Sequence, residues 1–117
     1  MAIHNDHEQQ IKGGRLSSSM SFNERVWALT SRVPVGKVTT YGEIARKLGT
    51  NGYRAVGNAL NRNPYAPQVP CHRVVGCTGA LTGFAGGLEK KKQLLIDEGV
   101  VLRNGKVDLE RSFIRLA

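Results

Sequence analysis

Thr40-Tyr41-Gly42-Glu43-Ile44-Ala45-Arg46-Lys47-Leu48-Gly49-Thr50-Asn51-Gly52-Tyr53-Arg54-Ala55-Val56-Gly57-Asn58-Ala59-Leu60-Asn61-Arg62 is the stretch that decides the fold. Thr40 followed by Glu43 has the signature of a capping box, and Ile44, Ala45 and Leu48 supply the buried side of a short helix that stops at Gly49. Thr50-Asn51-Gly52 reads as a polar turn. From Tyr53 to Arg62, Val56, Ala59 and Leu60 give a narrow apolar face until Asn63-Pro64 ends it. Two short helices joined by such a turn make a helix-turn-helix.

Upstream, Ser21 and Glu24 form a second capping-box signature before Phe22, Val26, Trp27 and Leu29, an apolar stripe running to Arg32. Val33-Pro34-Val35-Gly36-Lys37 breaks it. Residues 1–20 are polar and show no sustained apolar period, so they are expected to be a flexible tail ahead of one folded unit over 21–117. Downstream, Tyr65 to Pro70 cannot be regular helix, and Val74-Val75 is a brief extended segment. Gly86-Gly87 precede a last helix in which Leu88, Leu94, Leu95 and the stem of Lys91 face inward, with Glu89, Lys90, Lys92 and Gln93 outward and Gly99 as the stop. Val100 to Val107 reads as a hairpin around Asn104-Gly105. The expected fold is mainly α with short β segments, a winged-helix-like helix-turn-helix.

The 117 residues suffice for one modest core, and no apolar run is long enough to cross a bilayer. The polar start lacks a signal-peptide pattern, so an intracellular protein is expected, cytoplasmic or nuclear according to the cell. Formal net charge is +8, and residues 1–20 balance Lys12 and Arg15 against Asp6 and Glu8, so the excess lies in the folded part. Such a surface suits a polyanion or, alternatively, solubility alone. Two cysteines, Cys71 and Cys77, are too few for a disulfide scaffold and poorly spaced for zinc, even with His4, His7 and His72.

The helix beginning at Tyr53 is odd as a reader of base edges. Away from its core side it carries Ala55, Gly57 and Asn58, with Arg54 as its one long probe. Either the backbone approaches a narrow groove closely, or the small residues permit tight packing within the protein. Cys71, between Pro70 and His72, is a candidate nucleophile because a nearby imidazole or positive charge favours thiolate. A free cysteine is also commonly an inert core residue.

Pro70-Cys71-His72-Arg73-Val74-Val75 follows Arg54-Ala55-Val56-Gly57-Asn58-Ala59-Leu60 and Asn63-Pro64, and precedes Gly86-Gly87-Leu88 and Leu94-Leu95-Ile96-Asp97-Glu98-Gly99. In that order these segments, over roughly residues 21–102, resemble the C-terminal active-site domain of O6-alkylguanine-DNA alkyltransferases. The resemblance implies that Cys71 accepts the alkyl group irreversibly from O6-alkylguanine in double-stranded DNA, without cofactor or metal. It implies that His72 draws the thiol proton through a water, that Glu98 orients His72 and favours its charged form, and that Asn63 braces the active-site turn. By the same likeness Arg54 enters the base stack as the damaged nucleotide leaves, and Tyr41 crowds the phosphate and protonates the guanine ring. Ala55, Gly57, Asn58, Asn61 and Arg73 join Arg54 and Tyr41 in the DNA-binding set. Val69, Pro70, Phe84, Ala85 and Gly86 line the substrate pocket, and a monomer is expected. Phe84 stands where many members have tyrosine and Asn61 where some have arginine, and residues 1–20 are too short and polar to supply the family's usual N-terminal domain. Alkyltransferase-like proteins, which bind alkylated guanine without reacting and recruit other repair machinery, are the competing reading; they place tryptophan or alanine where this chain has Cys71.

Overall fold

The computed structural model describes residues 6–84 and 86–116. It is mainly helical with short strands. Helix α1 spans Asp6–Lys12 and α2 Phe22–Thr30; strand β1 (Thr39–Thr40) leads directly into α3 (Tyr41–Lys47), and α4 (Tyr53–Asn61) follows. A 3₁₀ turn at Cys71–Arg73 runs into β2 (Val74–Val75), then α5 (Leu88–Asp97), β3 (Leu102–Arg103), β4 (Lys106–Val107) and α6 (Leu109–Ser112).

The capping box of α2 forms as expected: the Ser21 backbone N–H donates to Glu24 Oε1 at 2.8 Å and the Glu24 N–H to Ser21 Oγ at 3.1 Å. At α3 only half of it forms. Thr40 Oγ1 accepts the Glu43 N–H at 3.0 Å, but the Glu43 carboxylate turns away to accept from Arg46 Nε and Nη2 and from the Leu116 N–H at 2.7 Å. Glu43 therefore ties the C-terminal segment to the first helix of the helix-turn-helix. The Arg46 hydrogen bonds, as the largest influence, hold this carboxyl below the ordinary range although burial alone would raise it.

Helices α2, α3 and α4 enclose the main core, which holds Val26, Leu29, Val33, Ile44, Ala45, Val56, Ala59, Leu60, Val74 and Leu116. Val74 belongs to it because β1 and β2 pair in parallel, Thr39 opposite Val74 and Thr40 opposite Val75. That short ladder sets the turn beginning at Cys71 beside the helix-turn-helix. A second cluster, Val38, Val75, Leu95, Val100 and Val107, packs α5 and the hairpin on its far side. Asn104 and Gly105 both take positive φ, 56° and 78°, as a tight two-residue hairpin turn demands.

Two expectations need correction. Residues 6–20 are not a loose tail: Ile11 is fully buried and Met20 nearly so, in a third cluster with Ala28 and Val69. These two apolar residues lie too far apart to form a period, which is why the sequence pattern conceals them; residues 1–5 lie outside the described residues. Leu88, expected to face inward, is half exposed at the first position of α5. Lys91 does face inward, and not its stem alone: the whole side chain is buried.

Candidate functional site

Cys71 begins the 3₁₀ turn and is partly buried, its N–H donating to the Val69 carbonyl at 2.9 Å. The same carbonyl accepts Asn63 Nδ2 at 2.8 Å, while Asn63 Oδ1 accepts the Tyr65 N–H at 2.9 Å. Asn63 thus spans the segment that delivers the thiol. The next two side chains of the turn reach the end of α5. His72 Nε2 lies 2.9 Å from Glu98 Oε2, and Arg73 donates through Nε to Oε1 at 2.9 Å and through Nη2 to Oε2 at 2.8 Å.

Arg73, expected on the DNA-binding side, is therefore turned inward; its Nη1 also donates to the Val33 carbonyl at 2.8 Å. Its fork geometry matches a carboxylate, and Glu98 has two oxygens to offer. Glu98 pulls His72 toward its charged form, through its hydrogen bond and its charge. Burial, the largest influence, outweighs the neighbouring carboxylate and pushes the imidazole below its ordinary value, with the Arg73 and Lys91 charges adding to the effect. Burial would raise the Glu98 carboxyl, but hydrogen bonds from Arg73 and His72, followed by their charges, bring it net below the ordinary range. At neutral pH the pair is then a carboxylate and a neutral imidazole. Because a carboxylate only accepts, Nε2 carries the hydrogen and Nδ1 keeps a lone pair for a proton.

Opposite this turn, the Tyr41 hydroxyl donates to the Thr82 carbonyl at 2.9 Å. Burial raises its pKa, so it holds its proton. Lys91 Nζ donates to the same carbonyl at 2.7 Å and to the Val74 carbonyl at 2.6 Å, and stands 5.8 Å from the Tyr41 ring centroid. Sequence reasoning placed only the Lys91 stem inward and missed its ammonium as a group of the site. The available signal was a lysine three residues after Leu88 and four before Leu95, in the middle of an apolar stripe.

Burial lowers the Lys91 pKa to about 8, with a compensating pull from Cys71. The folded value lies below the ordinary 10.5, so this group's contribution to stability is complete above that pH and is lost as pH falls toward about 8. Thermal melts should therefore show the midpoint rising by a few degrees between those limits relative to Lys91→Met, in which this component of the slope is gone. Parallel profiles for the two proteins would contradict the burial of a titrating amine.

A groove of about 340 Å³ brings together Tyr41, Tyr53, Arg54, Gly57, Asn58, Asn61, Thr82 and Gly83. Tyr53, not among the expected residues, is 56% exposed there. A methyl group built on Gly57 would meet nothing within 4 Å, and Ala55 is exposed. Tight internal packing is thus not why these residues are small; α4 offers a pared-down outer face. Val69 and Pro70 are buried and do not line this groove, and Phe84 lies against Gly86. Ala85 lies outside the described residues. Among the described residues no group of three or more His, Cys, Asp or Glu side chains could hold a metal ion, and no helix is long and apolar enough to cross a membrane.

A family profile described as "6-O-methylguanine DNA methyltransferase, DNA binding domain" matches residues 21–100. A methylated-DNA–protein-cysteine methyltransferase of Methanosarcina acetivorans is 52% identical over 79 residues, 67% of this chain and 51% of that one. Its namesake from Salmonella typhimurium is 48% identical over 82 residues, 69% and 48% of the two chains. The chain therefore spans about half the length of these curated relatives. Among solved structures, Mycobacterium tuberculosis OGT in complex with DNA matches with a TM-score of 0.66 at 38% identity, covering 82% of this chain and 65% of that one. S. pombe Atl1 in complex with damaged DNA containing O6-carboxymethylguanine matches with a TM-score of 0.71 at 32% identity, covering 80% of this chain and 94% of that one.

Proposed function

Since the chain belongs to the family of the 6-O-methylguanine DNA methyltransferase DNA-binding domain, we propose that it repairs DNA by moving the O6-alkyl group of guanine irreversibly onto Cys71. The observation that carries this reading is that Cys71 opens a turn whose next two side chains, His72 and Arg73, are both locked on Glu98.

An O6-alkyl carbon is out of reach of a thiol inside a duplex, so the nucleotide is turned out at a cost of a few kcal/mol. The basic surface holds the phosphates, and the small outer face of α4, with Ala55, Gly57, Asn58 and Asn61, lets the backbone approach the minor groove while Arg54 fills the gap in the stack. Phe84 and Gly86, on the loop that follows Thr82 and Gly83, wall the extruded base. Cys71 gives its proton through a solvent molecule to His72 Nδ1, and Glu98 steadies the imidazolium that forms. Sulfur then attacks the alkyl carbon: the S–C bond forms as the C–O6 bond breaks, and the electron pair stays on the guanine. Tyr41 leaves the Thr82 carbonyl and protonates the ring, and the Lys91 ammonium offsets the phenolate charge. The product is a thioether that no residue of the site can reverse, so each molecule acts once.

The test is transfer of a labelled methyl group from an O6-methylguanine duplex: label bound to the protein supports the proposal. A second reading, lesion binding without transfer, is favoured by the coverage of nearly the whole Atl1 chain; tight binding with no bound label would select it. Arg54→Ala should slow transfer from duplex roughly tenfold to hundredfold, the cost of extrusion without a filler, and leave transfer from free O6-benzylguanine unchanged. Equal loss on both substrates would remove Arg54 from the extrusion step.

A further inference from the structure

Helix α1 lies outside the span matched by the family profile, yet it covers the back of the segment that carries the thiol. Its seven residues are too few to persist alone in water, so tertiary contacts hold it. His7 Nδ1 stands 3.0 Å from Glu24 Oε2 and Nε2 stands 2.8 Å from Ser19 Oγ, and Arg32 Nε donates to the Gly14 carbonyl at 2.8 Å. Lys12 Nζ sits 5.4 Å from the Tyr65 ring centroid, and that ring meets Trp27 edge-on at 5.9 Å. Ile11, fully buried, shares its apolar cluster with Val69.

Val69 is where this packing meets the chemistry. Its N–H donates to the Tyr65 carbonyl at 3.0 Å, and its own carbonyl takes both the Asn63 amide and the Cys71 N–H. The side chain of Val69 faces the cluster that Ile11 closes, while its backbone orients the first residue of the reacting turn. Resting on the reading of Cys71 as acceptor, we infer that α1 is a positioning element for alkyl transfer, with Ile11 the positioning residue acting through Val69. A displacement of the sulfur by a fraction of an ångström to an ångström is enough to slow a displacement reaction that needs an in-line approach.

Ile11→Ala should slow transfer about tenfold, equally from an O6-methylguanine duplex and from free O6-benzylguanine, with affinity for the lesion duplex within about twofold of wild type. Amide exchange at Val69 and Cys71 should quicken by about tenfold while that at Val56, in the main core, is unchanged. Ile11→Val, which keeps the branched stem, should restore most of the rate, and it carries the comparison if the alanine variant does not fold. Val107→Ala, which weakens a separate cluster, should alter neither the rate nor the exchange of the two amides. Wild-type rate and exchange in folded Ile11→Ala, or equal slowing in Val107→Ala, would overturn the inference alone. A wild-type protein that takes no alkyl group would overturn the acceptor reading and this inference with it.

Discussion

Cys71→Ala should bind an O6-methylguanine duplex within a few-fold of wild type and take up no methyl group. Affinity comes from phosphate contacts, from Arg54 in the stack and from the walls around the extruded base in the proposed mechanism, and none of these needs sulfur. Cys71 is only partly buried, so its truncation should cost about 1 kcal/mol and leave the protein folded. Cys77→Ala is the matched control: Cys77 is exposed, beyond Gly76, and has no imidazole beside it in the chain. It should transfer at the wild-type rate. Gel shifts and intact masses on the two variants separate binding from chemistry, and methyl uptake by Cys71→Ala would reassign the acceptor.

Glu98→Gln should have the next largest effect, because one carboxylate serves both His72 and Arg73. A neutral amide in its place cannot accept both the Arg73 fork and the His72 N–H, and Arg73 would keep its guanidinium in a largely enclosed site. Removing one partner of such a pair should cost roughly 2–3 kcal/mol, below the full range for a wholly buried pair. The sign with pH follows from the depressed Glu98 carboxyl. Its stabilising contribution is complete above the ordinary value of 4.5 and is lost as pH falls through the lower folded value. Denaturant titrations should thus show the wild-type advantage shrinking in acid and the variant lacking that slope. Transfer should slow about tenfold to hundredfold, with a displaced rate–pH profile, since the imidazolium formed during reaction loses its counter-charge. Unchanged stability and an unchanged profile would mean that Glu98 merely ends its helix.

Helix α2 and the helix-turn-helix were legible because their determinants are local: the Ser21 and Thr40 caps, the stops at Gly49 and Asn63-Pro64, and apolar spacing within each short helix. The Asn104-Gly105 hairpin was legible for the same reason. Residues 6–20 were not, since Ile11 and Met20 bury against distant partners and leave no period. In the site, resemblance rather than spacing brought His72 and Glu98 together; nothing in the chain between them announces their contact. Burial decides what neither spacing nor resemblance states. Arg73 found Glu98 instead of the solvent, His72 rests neutral, and Lys91 buries its charge on two carbonyls. Which charged groups share one carboxylate or one carbonyl is a property of packing, and the order of residues along the chain does not state it.

Whether Cys71 is the alkyl acceptor is decided by following the intact mass of the wild-type protein during incubation with excess O6-methylguanine duplex, then mapping the modified peptide. The expected result is a gain of one methyl group per molecule that then stops, located on Cys71. An unchanged mass, a methyl group on Cys77, or continued demethylation of DNA by a protein already modified would contradict it.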